Sequence, residues 1–289
     1  MRRDLILVAL AVLGLLGACS DEERVDAGGG APSGQRYEAN ATVLESPAHG
    51  PQLCLGAIAT SLPPQCGGPD IVGWGWDAVE GEEAANGTTW GSYRVVGTYT
   101  GGVFTLTEPA VAPDPSLGDD GFSVDFTSPC PAPAGGWAVV DVATATEAGQ
   151  QAANEYAVAQ ADYAGSWVDQ SINPALADGF DPGDEEVAND PTKLVLNVRF
   201  TGDLERHTEE LRARWGGPLC VTAAEHTSSE LEAIQAELSV EPGMLESSTD
   251  VVTNQVFVRV IIDDGVQQRL DAQYGKGVVR VTSALRPVS

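Results

Sequence analysis

The chain is 289 residues long and carries 42 acidic residues against 15 Lys and Arg, a net charge of -27 at pH 7. A surface that negative repels phosphate backbones and anionic headgroups, which argues against nucleic-acid binding and electrostatic membrane docking. Only Lys193 and Lys276 are lysines, while Ala, Gly, Val and Asp are abundant, the bias of a high-GC bacterial genome.

The N-terminus has the order of a secretory signal peptide. Arg2 and Arg3 form a positive n-region, residues 5–15 are an unbroken apolar run, and Leu16-Gly17-Ala18-Cys19 follows. The apolar run is too short for a permanent membrane helix, which needs about 20 residues. Leu16 to Cys19 resembles a bacterial lipobox, in which cleavage falls before the cysteine and the thiol takes a diacylglyceryl group. The resemblance implies that residues 1–18 are removed and that Cys19 becomes a lipid-bearing (palmitate-type) N-terminus on the extracytoplasmic face of the cell membrane. The alternative is an ordinary secreted chain cut nearby with Cys19 left as a thiol; the register of apolar run, small residues and cysteine favours lipidation. Attachment then rests on the acyl chains, and two hold far better than one.

Residues 19–36 read as the lipidated cysteine and a flexible linker, with Asp21-Glu22-Glu23 and a Gly/Ala/Pro/Ser run that cannot fill a core. Residues 37–130 read as an all-β domain. Residues 41–45 and 53–55 are short strand candidates, and 93–99 and 103–107 are stronger ones, joined by Thr100-Gly101-Gly102 as a hairpin turn. The expected architecture is a small OB-like barrel or a sandwich.

Beyond Cys19 there are four cysteines, Cys54, Cys66, Cys130 and Cys220. In an exported chain an even number reads as two disulfides, with three pairings open. The short spacing favours Cys54–Cys66, whose closure stabilises by about 3 kcal/mol, and leaves Cys130–Cys220. No CxxC pair or Cys/His cluster competes as a zinc site.

Residues 131–146 form a hinge that opens Pro/Ala-rich, and 147–289 alternate helices with strands. Helical stretches are expected at 147–162, 204–215, 228–238 and 265–274, and strands at 163–169, 193–200, 219–223, 244–252, 256–262 and 278–282. Thr227 with Glu230 sets a capping box before the third helix. The order helix-strand-strand-helix-strand thus occurs twice, with Trp167-Val168-Asp169 matching Thr249-Asp250-Val251 and Arg212 to Gly216 matching Asp271 to Gly275. The expected fold class is α+β in two domains: the small all-β part, then a tandem pair of α/β units.

Ala164-Gly165-Ser166-Trp167-Val168-Asp169 before an apolar strand, and Asp250-Val251-Val252-Thr253-Asn254-Gln255-Val256-Phe257-Val258, resemble the pro-region of α-lytic-protease and streptogrisin-type serine proteases. The resemblance spans about 147–286. In that family the pro-region is a two-lobed folding catalyst that grips and inhibits its own protease. No protease domain follows residue 289 here, so the resemblance implies action in trans, as an inhibitor or folding chaperone, with the tail 283–289 lying against the protease.

Candidates for chemistry are few. His49 lies in a Pro/Gly loop, His207 in a charged helix facing solvent, and His226 before a helix start; each reads as a solvated or turn histidine. No GxSxG elbow, Walker loop or GxGxxG loop is present. The densest carboxylate cluster, Asp178, Asp181, Asp184, Glu185, Glu186 and Asp190, is a calcium candidate, but its spacing does not match an EF-hand and Pro182 and Pro191 interrupt it. Trp74-Gly75-Trp76, with Trp90 and Tyr93, cluster in the β domain; the Trp74/Trp76 alternation suits core packing on one strand face better than an exposed stacking platform. The reading is a lipid-anchored extracytoplasmic binding protein without enzymatic activity, cofactor or metal, whose partner is an unidentified protein or envelope ligand. The alternatives are a trans-acting inhibitor or chaperone of a secreted serine protease and a cell-envelope hydrolase.

Overall fold

Alternation builds the N-terminal sheet. In β1 (Arg36–Ser46) the side chains of Tyr37, Ala39 and Val43 point to one buried face, and in β5 (Thr88–Thr100) Tyr93 and Val95 meet them. These two strands pair antiparallel over ten positions, from Arg36↔Thr98 to Glu45↔Thr89. Between them in the chain come β2 (His49–Cys54), β3 (Asp70–Val72) and β4 (Glu83–Ala85). β6 (Val103–Leu106) follows β5 through Gly101 and Gly102, whose φ values of 60° and 81° supply the left-handed pair that a tight hairpin turn requires. The computed structural model describes residues 34–117, 124–176, 185–239 and 243–288. The signal, Cys19 and most of the linker, as well as Asp178, Asp181 and Asp184, lie outside them.

The expected OB-like barrel or sandwich is not what forms. One seven-stranded mixed sheet runs in the order β13-β1-β2-β3-β6-β5-β4, with a further β1–β5 pairing, and it is not a closed barrel. β4 pairs only with β5, and β13 (Arg286–Pro287) only with β1, so both leave an edge open. Some links in the sheet are thin: β2 meets β3 at the single pair Gln52↔Asp70, and β3 lies parallel to β6 over three residues. The disulfide Cys54–Cys66 ties the end of β2 to the loop beyond it.

The rest of the chain folds as two three-stranded sheets. α1 (Glu147–Val158), β7 (Tyr163–Asp169), the four-residue α2 (Glu185–Ala188), β8 (Val195–Phe200), α3 (Leu204–Arg212) and β9 (Leu219–Ala223) make the first unit. α4 (Ser228–Leu238), β10 (Met244–Asp250), β11 (Gln255–Val260), α5 (Val266–Tyr274) and β12 (Val279–Ser283) make the second. Both sheets keep the chain order of their strands, with an antiparallel first pair and a parallel second pair. Asp169 and Asp250 hold equivalent places, one residue from the match read in the sequence. Each is buried at the end of its strand and accepts the N–H two residues on, Ser171 and Val252, at 2.8 Å. Each unit has its own core: Leu196, Val198, Phe200, Leu211 and Trp215 in the first, Val256, Val258, Val260, Leu231 and Leu270 in the second.

Local signals explain the helix ends. Thr146 accepts from the Gly149 N–H at 3.1 Å to open α1, and Thr227 with Glu230 completes the reciprocal capping box of α4. The connecting stretch is bonded to the first unit. Cys130 is disulfide-linked to Cys220, the Ser128 N–H reaches Asp169 at 2.8 Å, the Trp167 indole donates to the Phe126 carbonyl, and the Val140 N–H donates to the Gly216 carbonyl.

The C-terminal residues return to the N-terminal sheet. Ala284 and Leu285 are buried in its core beside Tyr37, Val43 and Phe104, and β13 pairs with the start of β1 through Tyr37↔Pro287 and Glu38↔Arg286. Proline suits this position because an edge strand does not need its missing N–H. Leu285→Ala should therefore cost about 2–5 kcal/mol by leaving a cavity. Urea unfolding of the variant checks this; a loss below about 0.5 kcal/mol, the range of surface substitutions, would mean that the tail is not part of the core.

Candidate functional site

The two units meet through the backbone of the β10–β11 turn. At Gly165, on β7 with φ 138°, a Cβ would stand 2.7 Å from the Cβ of Val251, so glycine there lets the turn approach. Arg199, near the end of β8, spans the joint. Its guanidinium donates to the Ala223 carbonyl at 3.0 Å and to the Val252 carbonyl at 2.6 Å, with a longer contact to the Val251 carbonyl at 3.4 Å. Burial lowers the Arg199 pKa, and the charge of Asp250 acts the other way.

Asn254 fixes the other side of the joint. It sits in the turn at φ 58°, a left-handed conformation that asparagine tolerates better than most residues. Its side-chain oxygen accepts the N–H groups of Glu225 and His226 at 3.1 and 2.9 Å, and its amide donates to the His226 carbonyl at 2.8 Å. The segment joining β9 to α4 is thus clasped by one buried side chain.

A polar groove of about 450 Å³ opens over this joint. Arg199 and residues 223–226 line it from the first unit and the connection, and Thr253, Asn254, Gln255, Lys276 and Gly277 from the second. Several neutral groups are already committed to the frame: Thr253 Oγ1 donates to Asp250 at 2.6 Å, and the Gln255 amide donates to the Gly277 carbonyl at 2.6 Å. The nearby Glu230 carboxylate accepts the Thr227 N–H, which lowers its pKa. The groove therefore offers the cations Arg199 and Lys276 and the His226 ring against Glu225, on a rigid polar floor.

Two other hollows offer less. A concavity of about 690 Å³ runs along the outer face of α1 and is lined by that helix and Ala159 alone, so no second element brings chemistry to it. A hollow of about 370 Å³ beside Trp74 is walled mainly by Val79, Leu106, Pro109 and Ala110. Trp74 and Trp76 do not share a strand face as expected: β3 ends at Val72, and Trp76 opens a short 3-10 turn. Their rings meet edge-on with centroids 5.2 Å apart, Trp74 also meets Tyr93 at 5.1 Å, and the Trp76 indole donates to Glu45 at 2.6 Å. Burial raises the Tyr93 hydroxyl pKa. Trp90 is separate, packed with Leu44 and Cys54, because positions 90 and 93 of one strand face opposite ways.

The histidines scatter. His49 contacts the Gly50 carbonyl at 2.7 Å. His207 is not solvated as expected but fully buried on α3, stacked on Phe200 with centroids 3.7 Å apart. Its Nε2 lies 2.9 Å from Asp162 and its Nδ1 2.9 Å from the Tyr156 hydroxyl. The Leu204, His207, Leu211 spacing carried that information, since it places His207 on the inward stripe. His226 lines the groove over the unit joint. Of the acidic cluster, Asp190 caps the turn at 191–193 and pairs with Lys193 at 2.9 Å; bonds from Thr192 and Lys193 lower its pKa to about 2. Among the described residues no group of three metal-ligating side chains occurs. All four cysteines expected in disulfides are paired, Cys54–Cys66 and Cys130–Cys220.

No protein-family model matches this sequence, and no curated protein matches it. Asn254→Ala should destabilise by about 2–4 kcal/mol, from two orphaned amides and a left-handed alanine. Asn254→Gly should recover roughly 1 kcal/mol of that by relieving the backbone alone. Denaturant melts of the two variants check the split; equal stability would mean that the backbone strain contributes nothing.

Proposed function

We propose that this protein is a lipid-anchored binding protein on the extracytoplasmic face of a bacterial membrane, and that it holds a ligand or partner without catalysing a reaction. The observation that carries the reading is the pairing of four of the five cysteines in two disulfides, which leaves Cys19 as the one cysteine outside them. Paired cysteines suit an oxidising compartment, and a single remaining thiol in a lipobox-like setting suits acylation. Residues 20–33 then act as the spacer between membrane and folded part. The groove over the unit joint is the binding face best supported, because four separate chain segments converge on it.

The two-unit arrangement of 147–283 also favours a second reading, a trans-acting inhibitor or folding chaperone of a secreted serine protease. That reading needs the tail to reach a protease. Leu285 is instead buried in the N-terminal core and Arg286 and Pro287 pair with β1, so binding through the tail would require its release from both.

Metabolic labelling with a clickable palmitate analogue tests the anchor. The parent chain should take the label and sediment with membranes, and Cys19→Ala should lose the label and appear in the soluble fraction. A Cys19→Ala chain that remains membrane-bound, or a parent that takes no label, contradicts the proposal.

A further inference from the structure

We propose that the groove at the unit joint binds a small anion, a ligand bearing carboxylate or phosphate groups, with Arg199, Lys276 and His226 as its recognition groups. The inference rests on the binding reading above and names the ligand chemistry of that site. In a chain with a net charge of -27, cations are scarce, and five of the fifteen are tied up in ion pairs. Arg36, Arg94, Lys193, Arg206 and Arg214 are each paired with a carboxylate. Of the two lysines, Lys276 is exposed at the groove rim and has no ion pair or hydrogen bond among the described residues. The His226 ring is likewise without a hydrogen-bond partner there, its N–H and carbonyl alone being held by Asn254.

Arg199 contributes a different kind of charge. Its donors go to main-chain carbonyls and none to a carboxylate, so the guanidinium is fixed in place with its charge uncancelled by a bonded partner. A cation held rigidly and partly desolvated attracts an anion more strongly than one free in water, and binding it requires no reorganisation. Burial that lowers the pKa of Arg199 is the same effect seen from the protein side, since the charged form lacks solvation that an incoming anion would replace. Four carboxylates stand nearby. Glu225 lines the groove, Glu230 is engaged by Thr227, Asp250 by Val252 and Thr253, and Asp271 by the Gln267 amide. Among the side chains that line the groove itself, the permanent cations Arg199 and Lys276 stand against the single carboxylate of Glu225. A volume of about 450 Å³ admits a ligand of citrate size and is too small for a folded partner.

Isothermal titration of the intact, detergent-purified chain with citrate, and separately with inorganic phosphate, tests this. One-site saturable binding of either probe is expected, and the probe that binds identifies carboxylate or phosphate as the group recognised. Lys276→Gln should weaken binding about tenfold, the loss of one charge-assisted hydrogen bond, and Lys276→Glu more. Lys276 is exposed, so unchanged melting temperatures should accompany both changes. His226→Gln, which keeps a polar side chain, should also weaken binding. Absence of saturable binding with both probes, or binding unaffected by Lys276→Glu, overturns the anion site. Either result on a chain that still carries its lipid leaves the anchored-binding reading standing, whereas an unlabelled, soluble parent chain removes that reading whatever the titration shows.

Discussion

Arg199 donates its guanidinium hydrogens to carbonyls at the end of β9 and in the β10–β11 turn, and that bond set ties the two C-terminal units together where α4 also packs against β7. A half-buried charge is costly unless its donors are satisfied, so the carbonyls of Ala223 and Val252 must stay where they are. Their position places the turn, the turn places Asn254, and Asn254 clasps the segment that launches α4. Gly165 permits the approach by removing the one Cβ that would collide with Val251. The groove is the external surface of this joint. Its shape follows from contacts that hold the units together, so a ligand meets groups already fixed.

The remaining constraints act on chain entropy. Cys130–Cys220 spans 90 residues of sequence and removes on the order of 4–5 kcal/mol of unfolded-state freedom in the loop-closure account. The return of Ala284 and Leu285 to the core that Tyr37 begins brings the two ends of the described chain into one sheet. The second unit follows the tail to that sheet: Leu245, Ile261 and Ile262 pack against the same core. Folding of the N-terminal sheet is thus coupled to residues more than 200 positions later, a long-range contact that favours slow, cooperative assembly.

What the sequence disclosed follows the same physics. Elements set by local rules were legible: α4 from its capping box, the β5–β6 hairpin from Gly101-Gly102, and β8 from alternating Leu194, Leu196, Val198 and Phe200. Elements that exist only through partners were not. β3 has three residues and β13 two, too short to carry a periodic signal, and each is a strand because a neighbour's edge receives it. Without them the N-terminal sheet reads as a familiar small barrel, and with them its order and open edges differ. His207 was legible in principle, by its spacing from Leu204 and Leu211, but the charged residues around it masked the stripe. The groove was not legible at all. Arg199, His226, Asn254 and Lys276 come from four segments with no motif between them, and only the tertiary joint assembles them.

The location of the bound anion can be read directly from backbone amide chemical shifts as citrate is added to the isotope-labelled protein. Residues 223–226, 253–255 and 276–277 should shift together and saturate along one curve. Shifts confined to other surfaces, such as the hollow beside Trp74 or the outer face of α1, with those amides unmoved, would contradict the anion site.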